Sequence, residues 1–302
     1  MMSLGCVELG DEYAAIAVTG EDTIKLLQSL VTCDMQALDA TRSLIGSFPN
    51  PKGRVIILFR AIAIDDGCAL VVPRTMAERT RSHLQLYKFR AKVAFRSLDD
   101  THSLVGVMGA EARGWIAARF EVAPDEAGGS VEANRVRVIR VHGAAPRFLL
   151  FGERTLIDAA LHELPLVEDG WEMWSRAEIE AGVPQIVPAI SEAFLPQNLN
   201  LEALGGLSFT KGCYPGQEVI ARTQHLGTVK RRLMRGVSES SALVPGTALK
   251  SVHNGAEQDA GRVIASVGGR VLAVVPLEMF ESNASFYTDD TPPIAVKSWE
   301  RL

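Results

Sequence analysis

The chain has 302 residues, enough for a large hydrophobic core, and its length suggests two domains. Hydrophobic residues make up 47% and charged residues 22%, as in an ordinary globular protein. The net charge of −5 argues against a general nucleic-acid-binding protein, which needs a basic surface. We therefore expect no direct nucleic-acid partner, although this charge still permits a local basic patch.

The sequence shows no targeting or membrane signal. No apolar run approaches the ~20 residues of a membrane-spanning helix. The first residues, MMSLGCVELGDEYAA, lack the basic start and apolar stretch of a secretion signal. We expect a cytoplasmic protein without a membrane partner.

The four cysteines, Cys6, Cys33, Cys68 and Cys213, are scattered along the chain. They form no CxxC motif and no Cys–His pair at zinc spacing. A chain that held an iron–sulfur cluster alone would usually need about four close thiolates. The spacing therefore predicts free thiols in a reducing compartment and no metal site.

Hydrophobic periodicity predicts alternating strands and helices up to about residue 225. The predicted strands are residues 14–20, 54–64, 68–73, 91–99, 136–143 and 147–152. One predicted helix begins directly after residue 20, and three more span residues 74–90, 154–164 and 171–182. The strands 54–64 and 68–73 form a hairpin, as do 136–143 and 147–152. The helix at 74–90 has a basic outer face.

A short pattern occurs twice. Residues 103–120 repeat the plan of residues 14–31, with an apolar strand, a glycine and an acidic residue that opens a helix. Gly20 and Gly109 mark the two junctions. We infer two related βα halves.

After residue 227 the pattern changes to short strands separated by Gly, Pro and Asn turns. This spacing is typical of a small antiparallel barrel. We predict an α+β protein with a first domain at residues 1–225 and a C-terminal β-barrel domain at residues 226–302.

The densest cluster of chemically useful residues is TKGCYPGQEVIAR, residues 210–222. Lys211 lies two positions before Cys213, so the two side chains share a face if the segment is extended. A nearby ammonium favours the thiolate and lowers the pKa of a cysteine. The cysteine could be a nucleophile, a metal ligand, a ligand-pocket wall or a buried turn residue.

The residues that follow suit a ligand with an aminated ring and an acidic tail. Gln217 and Glu218 offer paired hydrogen bonds to a heterocyclic edge, and Arg222 can hold a carboxylate in a bidentate manner. The structural alternative is that GQEVIAR opens a helix. In that case Glu218 and Arg222 form an i,i+4 pair worth a few tenths of a kcal/mol, and Cys213 packs as a small hydrophobic residue.

The longer stretch LPQNLNLEALGGLSFTKGCYPGQEVIAR, residues 195–222, resembles the YgfZ-type folate-binding proteins, relatives of the glycine-cleavage T-protein, an aminomethyltransferase. The family pattern is K-G-C-[FY]-x-G-Q-E followed by Arg. It is met without mismatch by Lys211, Gly212, Cys213, Tyr214, Gly216, Gln217, Glu218 and Arg222. GEDTIKLLQSLVTCD, PKGRV and IEAGVP also fit, so the resemblance spans nearly the whole chain.

The resemblance implies an aminomethyltransferase-like folate-binding fold, a C-terminal β-barrel and tetrahydrofolate or a derivative as cofactor. It also implies a role in assembling or maintaining iron–sulfur enzymes, including tRNA-modifying ones, as partners. On this basis Cys213 is a reactive thiol that lines a central folate cavity. The residues expected to contact the folate are Lys211, Tyr214, Gln217, Glu218 and Arg222.

The sequence departs from the T-protein at two places where that enzyme carries acids. Residues 53–58 and residues 143–146 contain no Asp or Glu, so the pterin anchor is not identified. Carbon transfer requires a group that manages protons at the folate nitrogen. The departure favours an accessory protein, with a folate-dependent aminomethyl or methyl transferase as the alternative. Whether the chain catalyses any reaction stays open.

Three further sets of residues have both a functional and a structural interpretation. They are the strand cations Lys230, Arg231, Arg232 and Arg235, the pair Trp171 and Trp174, and His225. The cations either contact phosphates or a folate tail or line a solvated strand edge. The tryptophans either stack on a pterin or belong to the core. The histidine is either a proton carrier or a surface residue.

Overall fold

A computed structural model describes residues 3–225, 227–240, 243–253, 256–282, 284–290 and 292–302. The strands are β1 Gly5–Glu8, β2 Tyr13–Thr19, β3 Leu44–Pro49, β4 Val55–Ile64, β5 Gly67–Pro73, β6 Ala94–Ser97, β7 His102–Met108, β8 Ser130–Ala133, β9 Val136–Arg140, β10 Phe148–Glu153, β11 Arg231–Ser238, β12 Ala248–His253, β13 Ala256–Val267, β14 Arg270–Pro276, β15 Phe286–Thr288 and β16 Ala295–Arg301. The helices are α1 Thr23–Gln28, α2 Ala77–Tyr87, α3 Ala112–Phe120, α4 Arg154–Leu161, α5 Gly170–Glu180, α6 Gln217–His225 and α7 Leu277–Glu281.

Two five-stranded antiparallel sheets form the first part of the fold. One has the strand order β3-β4-β5-β2-β6, and the other has the order β8-β9-β10-β7-β1. Both predicted hairpins are confirmed, because β4 pairs with β5 and β9 pairs with β10. The β4–β5 turn is tight, since Ile64 pairs with Gly67 across Asp65 and Asp66.

The two halves repeat each other. In each, a strand leads into a helix, then a three-stranded meander, then a second helix, and the strand order is the same. Gly20 and Gly109 stand at the same junction with φ of 120° and 121°. A Cβ atom at Gly20 would clash with the carbonyl of Lys92, so the junction requires glycine. The predicted relation between the halves is confirmed.

Packing places the two sheets face to face, with helices outside. Side chains from both sheets form one cluster, which includes Ala17 and Ile62 from one sheet and Leu149 from the other. Helices α1 and α2 cover the outer face of the first sheet, and α3 and α4 cover that of the second. Strand β4 is therefore buried on both faces, which explains its nearly continuous apolar sequence.

The C-terminal strands close into an antiparallel barrel in the order β11-β14-β13-β12-β15-β16. The predicted α+β class with a C-terminal barrel is confirmed. Leu233, Leu272 and Val274 of the barrel share a hydrophobic cluster with Ile179 of α5, so one core joins the two parts. The predicted boundary falls at residue 226, outside the described residues, and the division into residues 1–225 and 226–302 stays a prediction.

Candidate functional site

Hydrogen bonds attach the segment at residues 210–222 to the chain that follows α1. The Lys211 ammonium is buried and donates hydrogen bonds to the carbonyls of Val31, at 2.6 Å, and Cys33, at 2.8 Å. It also lies 5.2 Å from the ring centroid of Tyr214. Burial lowers the pKa of Lys211 to about 8, although Cys33 and Asp34 partly oppose this shift. Lys211 therefore anchors the segment.

The prediction that Lys211 and Cys213 share a face is wrong. Lys211 is 8% exposed, whereas Cys213 lies at the surface. Residues 210–216 form no strand and consist of a bend, irregular backbone and a turn, so the extended geometry that would align residues two apart is not present. The Lys211 ammonium lies close to the buried thiol of Cys33 and acts to lower its pKa. Burial has the larger effect, however, and raises the pKa of Cys33 to about 12.

The residues after Gly216 form α6, as the structural alternative predicted. Gly216 has φ of 74°, and a Cβ atom there would clash with the carbonyl of Asn50, so this turn packs closely on the turn at residues 50–53. Glu218 and Arg222 form an exposed i,i+4 ion pair at 2.6 Å. Gln217 is partly buried at the start of the helix. Arg222 therefore already has a carboxylate partner within the chain.

A small cavity of about 60 Å³ lies between the two sheets. Apolar side chains form most of its wall, and strands β4, β5, β7 and β10 contribute several of them. Its polar and aromatic lining residues are Tyr13, Phe59, Arg60, Trp174, Glu178 and Gln185. Cys213 is not among the residues that line this cavity.

Glu178 is the acid of the cavity. Its carboxylate pairs with Arg147 at 2.9 Å, and the two side chains are 11% and 3% exposed. The Arg147 guanidinium also donates to the carbonyl of His142 at 2.9 Å and lies 4.7 Å from the Trp174 ring centroid. These contacts hold the Glu178 carboxylate in one position at the cavity wall.

Arg60 brings a second guanidinium to the cavity from the middle of β4. Its Nη1 donates to the Ser43 hydroxyl at 3.0 Å, and within the described residues it makes no ion pair. Burial lowers its pKa, while Glu178 and Tyr13 act in the opposite direction. The cavity therefore carries a positive charge without a paired carboxylate.

Two neutral groups complete the cavity region. Burial raises the pKa of the Tyr13 phenol, and the Gln185 amide donates a hydrogen bond to its hydroxyl. Burial, assisted by Arg60, lowers the pKa of the nearby His142 to about 4. The Nδ1 atom of His142 is buried and has no hydrogen-bond partner among the described residues. This histidine is neutral at physiological pH.

The sequence analysis missed the polar groups of this region, which are Tyr13, Arg60, His142, Arg147, Glu178 and Gln185. A signal was present for two of them. Arg60 interrupts the apolar run RVIILFRAIAI, and Arg147 directly precedes the apolar FLLF. A charge within a buried strand needs a compensating environment, so such a residue marks a candidate site. Glu178 carried no comparable signal.

The remaining candidates have mostly structural surroundings. Trp174 is buried in the core and Trp171 is partly buried, 5.8 Å from the Tyr13 ring. Arg231 pairs with Asp259 at 2.9 Å, and Arg235 pairs with Glu180 at 2.8 Å. Arg232 pairs with Glu202, Lys230 is exposed, and His225 is exposed at the end of α6.

Among the described residues, no three His, Cys, Asp or Glu side chains are grouped so as to hold a metal ion. In the same part of the chain, every helix falls short of the length and hydrophobicity that a bilayer span requires.

Comparison with known proteins gives three findings. No protein-family model matches the chain. The chain is 32% identical over 222 residues to the tRNA-modifying protein YgfZ of Colwellia psychrerythraea, an alignment that covers 74% of this chain and 68% of the relative. It is 34% identical over 239 residues to the tRNA-modifying protein YgfZ of Klebsiella pneumoniae, covering 78% and 72%.

Among solved structures, the glycine cleavage system aminomethyltransferase T from Bartonella henselae is similar, with a TM-score of 0.71. The match covers 98% of this chain and 85% of that one, at 15% identity, and therefore shows a shared fold. The sequence relatives confirm the family that the motif at residues 211–222 indicated. The chain belongs to the family of the tRNA-modifying protein YgfZ.

Proposed function

We propose that this protein binds tetrahydrofolate or a derivative in the central cavity and, in that form, acts as an accessory to iron–sulfur enzymes that modify tRNA. Three observations support the proposal. The relatives are named tRNA-modifying proteins, the fold is that of aminomethyltransferase T, and the cavity combines a flat aromatic wall with a buried carboxylate.

The observation that carries the folate assignment is the Glu178 carboxylate, held by Arg147 at 2.9 Å. The edge of a pterin ring presents two adjacent N–H donors, and a carboxylate accepts such a pair with both oxygens. Trp174 supplies an aromatic surface beside this group. In our proposal Glu178 is the pterin anchor that residues 143–146 lack.

The cavity must widen to admit this ligand. Its volume of about 60 Å³ is well below the roughly 300–1,000 Å³ of ordinary small-molecule pockets. The hydrogen bond between Gln185 and Tyr13 joins two lining residues, and we propose that the folate replaces it. Binding then includes a rearrangement of side chains.

The same geometry favours binding over carbon transfer. Among the described residues, Glu178 is the one acid that lines the cavity, and in our proposal it is already engaged by Arg147 and by the pterin edge. A general base must be free to take a proton from the reacting nitrogen. We therefore place the transferase second to the accessory role.

We propose that Cys213 acts at the surface, on a partner that approaches from outside. It is the one exposed cysteine, since Cys6, Cys33 and Cys68 are buried. The neighbouring Gly212 faces open space, so its surroundings are accessible. The buried side chains of Lys211 and Tyr214 hold this loop in place on its inner side.

Three further residues remain proposed ligand contacts. Gln217, Glu218 and Arg222 lie on α6, directly after the cysteine loop. The guanidinium of Arg222 is suited to the acidic tail of a folate whose ring occupies the cavity. In our proposal this contact replaces the exposed Glu218–Arg222 ion pair.

Calorimetric titration with tetrahydrofolate under anaerobic conditions tests the binding proposal. We expect stoichiometric binding, and we expect Glu178→Gln to weaken it about tenfold or more, because a hydrogen bond to a charged group is worth about 1.5–3 kcal/mol. The exposed Glu172→Gln on the same helix is the matched control. Unchanged affinity in Glu178→Gln would contradict the anchor. Turnover with an aminomethyl or methyl donor would favour the transferase.

A genetic experiment tests the thiol separately. Cys213→Ala is introduced into a host that lacks its own YgfZ, and the activity of an iron–sulfur tRNA-modifying enzyme is measured under oxidative stress. We expect loss of activity with Cys213→Ala and full activity with the control Cys6→Ala. Full rescue by Cys213→Ala would refute the reactive thiol and leave the folate proposal intact.

A further inference from the structure

The segment at residues 86–96, LYKFRAKVAFR, spans the end of α2, the loop that follows and the start of β6, and it concentrates positive charge on an acidic chain. It contains Lys88, Arg90, Lys92 and Arg96 and no acid, whereas the whole chain has a net charge of −5. We call this segment the basic loop. On the folded surface, Glu21 and Asp66 line the same depression as Lys88 and Lys92.

Phe89 at the centre of the basic loop has no structural reason to be an aromatic residue. Its side chain is 86% exposed, and the neighbouring Leu86 is 71% exposed. The backbone of Phe89 has φ of 38°, in the left-handed region just beyond the end of α2, where glycine is the usual residue. Neither burial nor backbone preference favours phenylalanine here.

The base of the loop is firmly attached. Tyr87 packs against His83 with ring centroids 5.1 Å apart, and Val93 is buried in the core. The amide of Lys92 donates to the Asp22 carboxylate at 2.8 Å. The Phe89 ring therefore projects from a fixed frame.

Most of the loop's cations are available to a ligand. Lys92 pairs with Glu21 at 2.7 Å. Lys88, Arg90 and Arg96 make no ion pair with any residue that the structure describes, and Arg90 and Arg96 are exposed. Positive charge thus flanks the exposed ring on both sides along the chain.

We propose that the basic loop binds single-stranded nucleic acid, with one base stacked on Phe89 and the flanking phosphates held by Lys88 and Arg90. Aromatic rings among cations are the usual platform for unpaired bases. Protein–protein interfaces are instead depleted of lysine, and here Lys88 adjoins the ring. This inference is independent of the folate proposal and of Cys213.

Fluorescence anisotropy with a labelled oligouridylate of about ten nucleotides tests the inference. We expect affinity that falls as salt rises, because cations release counterions from the phosphates. Phe89→Gly should weaken binding about tenfold, as expected for one lost stacking contact. The same substitution should leave the melting temperature unchanged or raise it, since glycine relieves the positive φ.

Variants inside and outside the basic loop distinguish specific contacts with phosphates from a general effect of surface substitutions on binding. Arg90→Gln should reduce the slope of log affinity against log salt concentration by about one, the value for one lost phosphate contact. Arg135→Gln, at an exposed arginine on the other half, and Leu166→Ala, at an exposed leucine, are the matched controls and should bind like wild type. Absence of binding at low salt would overturn the inference and leave an acidic protein as the occupant of this surface. Unchanged affinity in Phe89→Gly would also overturn it.

Discussion

The segment at residues 210–222 and the central cavity differ in which of their polar groups are buried. In the segment, the buried Lys211 and Tyr214 stabilise the loop, while Cys213 and Arg222 face solvent. In the cavity, the charged groups themselves are enclosed between the sheets. Most residues of a dense sequence motif can thus serve to hold one exposed side chain in place. The enclosed charged groups of the cavity, in contrast, come from residues that are scattered along the chain.

The largest effect is expected in the cavity. Arg147→Met leaves the Glu178 carboxylate buried without its partner and should lower the free energy of unfolding by about 3–5 kcal/mol. Denaturant unfolding measures this change. The double variant Arg147→Met with Glu178→Met should recover much of the loss, because no charge then remains unpaired. A loss below about 1 kcal/mol in the single variant would show that the pair is not enclosed.

A smaller effect is expected in the motif segment. Lys211→Met removes the donor from the carbonyls of Val31 and Cys33 and should cost about 1–3 kcal/mol of unfolding free energy. Cys213→Ala should change stability by no more than about 0.5 kcal/mol, because the side chain is exposed. Equal losses in the two variants would contradict the division between anchor and exposed thiol.

His142 is expected to make the cavity region sensitive to acid. Its pKa is about 4 in the folded protein, below the ordinary value of 6.5. Between these two values the unfolded chain binds more protons, so stability falls as the pH falls through this window. His142→Gln should flatten this part of the stability profile, as measured by denaturant unfolding across the window. An unaltered slope would show that His142 is solvated.

The smallest effect is expected on the surface of α6. Arg222→Ala removes an exposed i,i+4 ion pair and should cost only a few tenths of a kcal/mol. Its expected effect on folate affinity is larger, because the proposed tail contact is lost. Thermal unfolding and calorimetric titration of the same variant measure the two quantities. A stability loss above about 1 kcal/mol would place Arg222 among the anchoring residues instead.

Local patterns predicted much of the fold. The alternation of residues 14–20, the hairpin turn before Gly67 and the repeated glycine junction at Gly20 and Gly109 correspond to observed elements. These features depend on side-chain period and on backbone conformations that only certain residues favour. The same reasoning identified the motif segment, because its residues lie together in the sequence.

The cavity could not be predicted in this way. Arg60, Arg147 and Glu178 lie on β4, beside β10 and on α5, and only the packing of the two sheets brings them together. The direction of Lys211 likewise depends on carbonyls about 180 residues away in the chain.

By itself, the sequence determined most strands of the two sheets, the repeat, the barrel and the family, because these follow from local spacing and from residues that stand side by side. The tertiary structure alone decided which charges are enclosed, which lysine is an anchor and which cysteine is exposed. The physical reason is that burial and ion pairing are properties of distant segments in contact, and spacing along a chain does not specify them.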